Sequence, residues 1–238
     1  MTNQVNPPGS SAEDLRLRHY PDLVQSGGLR PAILVVAGAH RTEPGVLAEG
    51  PMPSASQWSV AEFASPRGAM RVNLGHGVRR FAVTLDGHGH VWASGSTSDL
   101  SEVVEVLVSW QHGVKLRELA ARFPFMEFDR LSQAYEDGNV VEVQWDIVIG
   151  DDDFLLYREL LLALRENAGL REFFPYFSHW TLRLSKDQAD AGAAEILIQR
   201  AAEGEGFVLW SSSALDHKRE FHGVGEVLRA AASLADEL

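Results

Sequence analysis

Residues 81–111 read FAVTLDGHGHVWASGSTSDLSEVVEVLVSWQ, and the fold class turns on them. Two β-rich runs, Phe81-Ala-Val-Thr-Leu85 and His90-Val-Trp-Ala93, flank Asp86-Gly87-His88-Gly89. An Asp-Gly pair between two such runs is a strong hairpin signal. The period then changes. Ser98 or Asp99 can cap free N–H groups, and Glu102 suits the positive end of a helix dipole. Val103, Val104, Val106, Leu107 and Trp110 form the broad apolar band of a packed helix, which Gly113 ends. A meander feeding a helix is a common α+β solution.

Upstream, residues 58–63 and 69–74 alternate and extend the meander. The apolar run 31–37 reads as strand or buried helix, and 38–56, with Pro44, Pro51 and Pro53, as loop. Residues 12–23 carry an amphipathic helical pattern interrupted by Pro21 and stopped at Gly27-Gly28. Downstream, helices are expected over 115–123, closed by Pro124, and 129–136, stopped by Asp137-Gly138. The apolar stretch 140–164 is split at Gly150, with Asp152 or Asp153 capping a helix over 154–165. Strands follow at 180–184, 195–198 and 207–210, then a helix over 225–238. The expectation is an α+β protein of antiparallel β-meander units with flanking helices: a disordered tail 1–12 and one domain 13–238. Within it, sub-units 57–112 and 178–238 flank a helical 113–177. A final strand, Ser-rich turn and helix recur in both sub-units, which suggests two related halves; the alternative is that layering rules produce the likeness.

The 238 residues include no cysteine, which excludes disulfides and thiolate metal ligands and fits a cytoplasmic protein. A net charge of −12 disfavours nucleic-acid phosphates. No apolar run is long enough to span a membrane, and no signal-peptide pattern opens the chain. Neither a G-x-S-x-G elbow nor a Walker or dinucleotide loop is present, so no cofactor is expected.

Several polar residues stand where chemistry is plausible. If apolar Phe63 faces the core, Glu62 faces the open side of a sheet, where partial burial can turn a carboxylate into a general base; the plainer reading is a solvated strand residue. Glu127 follows Phe123-Pro124-Phe125-Met126, with Arg122 before it; a structural Arg–Glu pair is the plainer reading. His179 lies between aromatics, and the pleat would place His179, Thr181 and Arg183 on one strand face, an acid/base beside an anion holder. The plainer view is a buried histidine bonded to backbone. Asp86, His88 and His90 invite a metal reading, but solvated turn residues explain them more simply, and no metal site is assigned. His76 with Arg79-Arg80 offers a place for an anion.

Taken together, Ser59-Val-Ala-Glu62 before Arg67-Gly68, Asp99-Leu100, Glu102-Val103-Val104, Trp110, Leu116-Arg-Glu-Leu119, Arg122-Phe-Pro-Phe125, Glu127-Phe128, Gln144-Trp145, Phe174-Pro175 and Ser178-His-Trp-Thr-Leu182 resemble the domain of unknown function 6193 family of actinobacterial natural-product biosynthesis proteins. The likeness covers roughly residues 62–185. It implies a setting in secondary metabolism beside carrier proteins and tailoring enzymes. Glu62, Arg122, Glu127, His179 and Trp180 are the polar or aromatic positions that match its pattern.

The leading expectation is a cofactor-free tailoring enzyme acting on a small-molecule or carrier-bound intermediate. The favoured reaction is an intramolecular displacement or elimination that closes a small ring, such as an aziridine, with loss of an anionic leaving group such as sulfate. Glu62, His179 and Glu127 would be catalytic, and Arg122, Arg183 and Trp180 would bind substrate. One alternative is a non-catalytic partner subunit in a hetero-complex with another biosynthetic enzyme, which fits six tryptophans if some line an interface. A further alternative is an immunity or regulatory binding protein.

Overall fold

Alternation in the first meander decides which way its sheet faces. In β3 (Phe81–Gly87), Phe81, Val83 and Leu85 are buried while Ala82, Thr84 and Asp86 are half-buried on the other face. The same phase holds across β1 (Val60–Ser65) and β2 (Gly68–Leu74), where Phe63 pairs with Met70 and Ala61 with Val72. The structure is a computed structural model and describes residues 18–39, 47, 58–87, 89–187, 192–202, 206–215 and 217–238. The chain divides into two compact units, Met1–Glu136 and Asp137–Leu238.

In the first unit the sheet order is β1-β2-β3-β4-β5, all antiparallel, with β4 spanning His90–Thr97 and β5 Met126–Glu127. Its apolar face is covered by α2 (Leu29–Ala39) and α3 (Leu100–Gln111). Leu29, Ala32, Ile33 and Ala37 give α2 a buried stripe at helical spacing, which settles the run 31–37 as helix. Arg18 and His19 are helical, and the helix breaks at Tyr20, just before Pro21, as expected. Pro21 opens α1 (Pro21–Ser26), where its missing N–H costs nothing, and Gly27 ends α1 at φ 84°, a conformation suited to glycine. Asp99 caps α3, its side chain accepting from Ser101 N at 2.8 Å. Two short helices follow, α4 (Leu116–Arg122) and α5 (Arg130–Asp137).

Arg67, in the β1–β2 turn, ties these pieces together. Its guanidinium sits 3.2 Å from the Trp110 ring centre, donates to Val114 O at 2.6 Å and pairs with Glu136 Oε1 at 3.1 Å. Glu136 in turn accepts from the Leu116 backbone N–H at the start of α4. Burial pulls Arg67 below its ordinary pKa, opposed by the Glu136 charge.

The second unit begins with α6 (Val140–Gly150), a 3-10 turn (Asp152–Tyr157) and α7 (Arg158–Glu166). Residues 154–157, expected to begin an α-helix capped by Asp152 or Asp153, belong instead to this 3-10 turn, which Asp151 holds by accepting from Asp153 N at 2.9 Å. The second sheet runs β10-β9-β8-β7-β6, again antiparallel, with β6 Phe174–Ser178, β7 Thr181–Ser185, β8 Glu195–Arg200, β9 Phe207–Ser211 and β10 Arg219–Phe221. Leu182, Leu184, Ile196, Ile198 and Leu209 pack against α7 and α8 (Val224–Glu237). Each of these fully buried aliphatics contributes about 1.5–3 kcal/mol relative to exposure.

Each unit thus carries an antiparallel meander between two helices, α2 and α3 around β1–β4, α7 and α8 around β6–β10. The paired α+β plan expected from the sequence is present. Three strands were not expected, β5, β6 and β10. The unit division at Glu136 falls within 113–177, the stretch expected to be wholly helical, which also carries β5 and β6. The Asp86-Gly87 pair closes β3 instead of forming the turn, Gly87 pairing with His90 after a bulge at Leu85/Asp86. Among the described residues no helix is long and apolar enough to cross a membrane.

Candidate functional site

Register places one polar row across the outward face of the first sheet: Glu62, Arg71, Thr84, Ser94 and Glu127 are successive cross-strand partners. Glu62 is only 8 % exposed. Its Oε2 accepts from Arg71 Nε at 3.3 Å and Nη2 at 3.2 Å, and Arg71 Nη1 reaches Asp86 Oδ2 at 3.4 Å. One guanidinium is thus shared by two carboxylates, a buried base beside a half-exposed cation. Glu127 ends the same row four strand spacings away, roughly 19 Å, so the two glutamates do not act on one atom. Exposed Glu127 borders a cavity of about 290 Å³ with Trp92, Phe128 and Ser132. Arg122, at the end of α4, lies exposed over the Phe123 ring at 5.2 Å and makes no ion pair with Glu127, so the expected structural pair is not formed.

The β6–β7 hairpin corrects the reading of His179. Ser178 pairs with Thr181, which leaves His179 and Trp180 as a two-residue turn. Both have positive φ, 51° and 60°, as a type I′ turn requires. His179 therefore does not share a strand face with Thr181 and Arg183, nor is it a buried histidine; it is exposed, its Nδ1 3.1 Å from Ser178 Oγ. Neither residue is the Asn or Gly that tolerates this conformation, and each costs roughly 1–2 kcal/mol there. The surroundings hold the tip in place. Tyr157 Oη donates to Trp180 O at 2.8 Å and accepts from Arg200 N at 3.0 Å. Burial raises the Tyr157 phenol above its ordinary range, so it stays a donor. Phe154 stacks on Phe177 with ring centres 3.6 Å apart and meets the Trp180 ring edge-on. The Trp180 indole nevertheless stays 65 % exposed, with Leu155 at 52 % and Leu156 at 72 % on the adjoining 3-10 turn.

Arg183 faces Tyr176 across β6–β7 and clasps Glu195 of β8: Arg183 Nη1 donates to Glu195 Oε2 at 2.8 Å, and Tyr176 Oη donates to Oε1 of the same carboxylate. Burial and the Glu195 bond raise the Tyr176 phenol. Burial works against the Arg183 charge, but Tyr176 and Glu195 outweigh it and raise its pKa. Arg183 is thereby committed to Glu195.

Arg79 is likewise committed. It forms a two-pronged pair with Asp22 at 2.7 and 2.8 Å, and this bond holds the Asp22 carboxyl below its ordinary value. His76 borders a separate cavity of about 430 Å³ with His19, Tyr20 and Trp58. His88 lies outside the described residues. His90 does not sit in a solvated turn: its ring stacks on Tyr135 at 3.9 Å and meets Trp92 at 4.2 Å. Among the described residues no three His, Asp or Glu side chains gather as metal ligands.

Sequence reasoning missed Arg71, Tyr176 and Glu195. Arg71 was within reach, since it alternates with Met70 and Val72 and so shares the outward face with Glu62 once β1 and β2 are paired. Tyr176 was masked by Pro175, which argues against a strand except at a sheet edge, where β6 lies. No family model matches the chain, and neither a curated protein nor a solved structure does.

Proposed function

We propose that this protein works by docking a protein partner through the β6–β7 hairpin tip, as one subunit of a hetero-complex; the resemblance read in the sequence sets that complex in natural-product biosynthesis. The observation that carries this reading is the left-handed pair His179-Trp180, which presents an indole 65 % exposed. A chain does not gain stability by holding two bulky residues at positive φ to keep a tryptophan in water, and backbone strain of this kind clusters where a surface is used. Tryptophan beside exposed leucines is also the composition of an interface anchor. The acidic run Asp151-Asp152-Asp153 adjoining it favours a partner with basic residues around an apolar pocket. The test is co-expression with biosynthetic proteins encoded beside this one, with complex mass read by light scattering. Trp180→Ala should weaken the complex by about 30-fold or more, the scale of a hot spot. Equal affinity for wild type and Trp180→Ala, with the fold intact, refutes the assignment.

A second reading rests on a different observation, the nearly buried Glu62 against Arg71. Here the enzyme is a cofactor-free ring-closing catalyst, and the anion holder moves from Arg122 or Arg183 to Arg71. Glu62 removes a proton from a substrate amine. The nitrogen lone pair forms the new C–N bond, and the C–O bond to the leaving group breaks, its electron pair departing on sulfate or a similar anion that Arg71 stabilises. Deleting the gene in a producing strain and complementing with Glu62→Gln separates the two readings. An accumulated open-chain intermediate, with partner binding retained, supports catalysis at Glu62; full rescue of product by Glu62→Gln refutes it.

A further inference from the structure

We infer that the cavity between β9, β10 and the last turns of α8 is a binding site for an apolar α-amino acid, a site that shares no residue with the hairpin tip or the Glu62 row. The space follows from the local chain. Arg219 pairs with Leu209, so β10 covers only the first part of β9 and leaves Trp210 and Ser211 to extend past it. Facing them, α8 presents Ala230, Ser233, Leu234 and Glu237, a stripe at helical spacing whose first two members are small. The result is a cavity of about 360 Å³, within the size range of small-molecule sites.

Its lining specifies the ligand. Leu209, Ala214, Ala230 and Leu234 make an apolar wall. Leu209 is 2 % exposed and belongs to the core under α8, so the wall is held in place. Two opposite charges line the same cavity: Arg219 of β10 and Glu237 in the last turn of α8. Neither makes an ion pair with the other or with any described residue; the Arg219 guanidinium rests over the Phe221 ring at 5.3 Å. A cation and an anion that border one cavity without pairing match a zwitterion. The carboxylate lies on the Arg219 fork, the ammonium on Glu237 and the negative end of the α8 dipole, and the side chain on Leu209, Ala230 and Leu234. Ser211 and Ser213, whose hydroxyls stand 2.8 Å apart, supply further donors at the carboxylate end.

The test is calorimetric titration of the full chain with L-phenylalanine and L-leucine, against phenethylamine, which lacks the carboxylate, and N-acetyl-L-phenylalanine, which lacks the ammonium. The expected result is one site per chain with a Kd of about 0.1 mM for an amino acid. Either blocked analogue, Arg219→Leu or Glu237→Gln should each weaken binding about tenfold or more. Arg219 and Glu237 are exposed, so their substitution leaves the core alone, and far-UV circular dichroism checks that. Ala230→Leu, which fills the cavity without removing a charge, should abolish binding. Absence of saturable binding of either amino acid at about a hundred times that Kd overturns the proposal. So does binding that phenethylamine or Arg219→Leu matches.

Discussion

Replacing His179 by Asn should make the protein more stable, because the turn it occupies suits Asn better than His. At φ 51° the imidazole is held in the left-handed region, where an ordinary side chain costs roughly 1–2 kcal/mol and Asn is several-fold better tolerated. The change gives up the exposed contact between Ser178 Oγ and His179 Nδ1, worth about 0.5 kcal/mol at most in water. The net gain is about 0.5–1 kcal/mol, which raises Tm by roughly 1–4 °C. Trp180→Gly relieves the same strain but forfeits what the indole buries. With the residue 65 % exposed, only about 50–80 Å² of its surface is removed from water, or about 1–2 kcal/mol. Glycine also makes the unfolded chain looser by ~0.4–1 kcal/mol, so this variant should fall within about 1 kcal/mol of wild type. The Asn-Gly double variant should fold as well as wild type and yet lose the docking surface. Urea unfolding followed by far-UV circular dichroism measures all three, with His179→Val, β-branched and intolerant of positive φ, as the destabilised control. If His179→Asn destabilises by about 1 kcal/mol or more while His179→Val is neutral, the left-handed turn is wrong and the docking argument built on its strain falls with it.

Three further outcomes follow from the packing. Arg67→Ala should cost about 3 kcal/mol, because it strands the buried Glu136 carboxylate and uncovers Trp110; a loss below about 1 kcal/mol by urea titration contradicts that role. Gly95→Ala should cost about 1–3 kcal/mol and detach β5, since its Cβ would sit 2.1 Å from Phe125 O; hydrogen exchange at Met126 and Glu127 reports the detachment, and unchanged protection counts against it. The Asp22–Arg79 pair should stabilise the first unit above the unfolded carboxylate range and fade in acid. Arg79 lowers the folded Asp22 pKa, so the unfolded chain binds the proton more readily, and the contribution is lost as pH falls through the folded value, below about 4. Asp22→Asn should remove that part of the acid dependence of the urea midpoint, and an unchanged pH profile would show the pair to be idle.

Elements with a strong local signal were legible in the chain. The period change after Thr97 marked the start of α3, Ser98 or Asp99 its cap, and Val103, Val104, Val106, Leu107 and Trp110 its buried face, because helix spacing and capping are contests between neighbours in sequence; the structure selects Asp99. The β-rich run Phe81-Ala-Val-Thr-Leu85 likewise marked a strand. That much, with the α+β class and the two meanders, the amino-acid sequence determined by itself. What it left open depended on partners far away along the chain. β5 and β10 are strands only because β4 and β9 lend them hydrogen bonds, and two or three residues carry no periodicity of their own. His179 and Trp180 look like strand residues between β-formers until Ser178 pairs with Thr181 and forces the chain to reverse there. Arg183 reads as an available group, and only the approach of β8 to β7 supplied the carboxylate that occupies it; Arg71, beside Glu62, likewise comes only from the pairing of β1 with β2. Which polar groups are spent on one another and which are left facing open space is a matter of distances across the fold, and only the tertiary structure decides it.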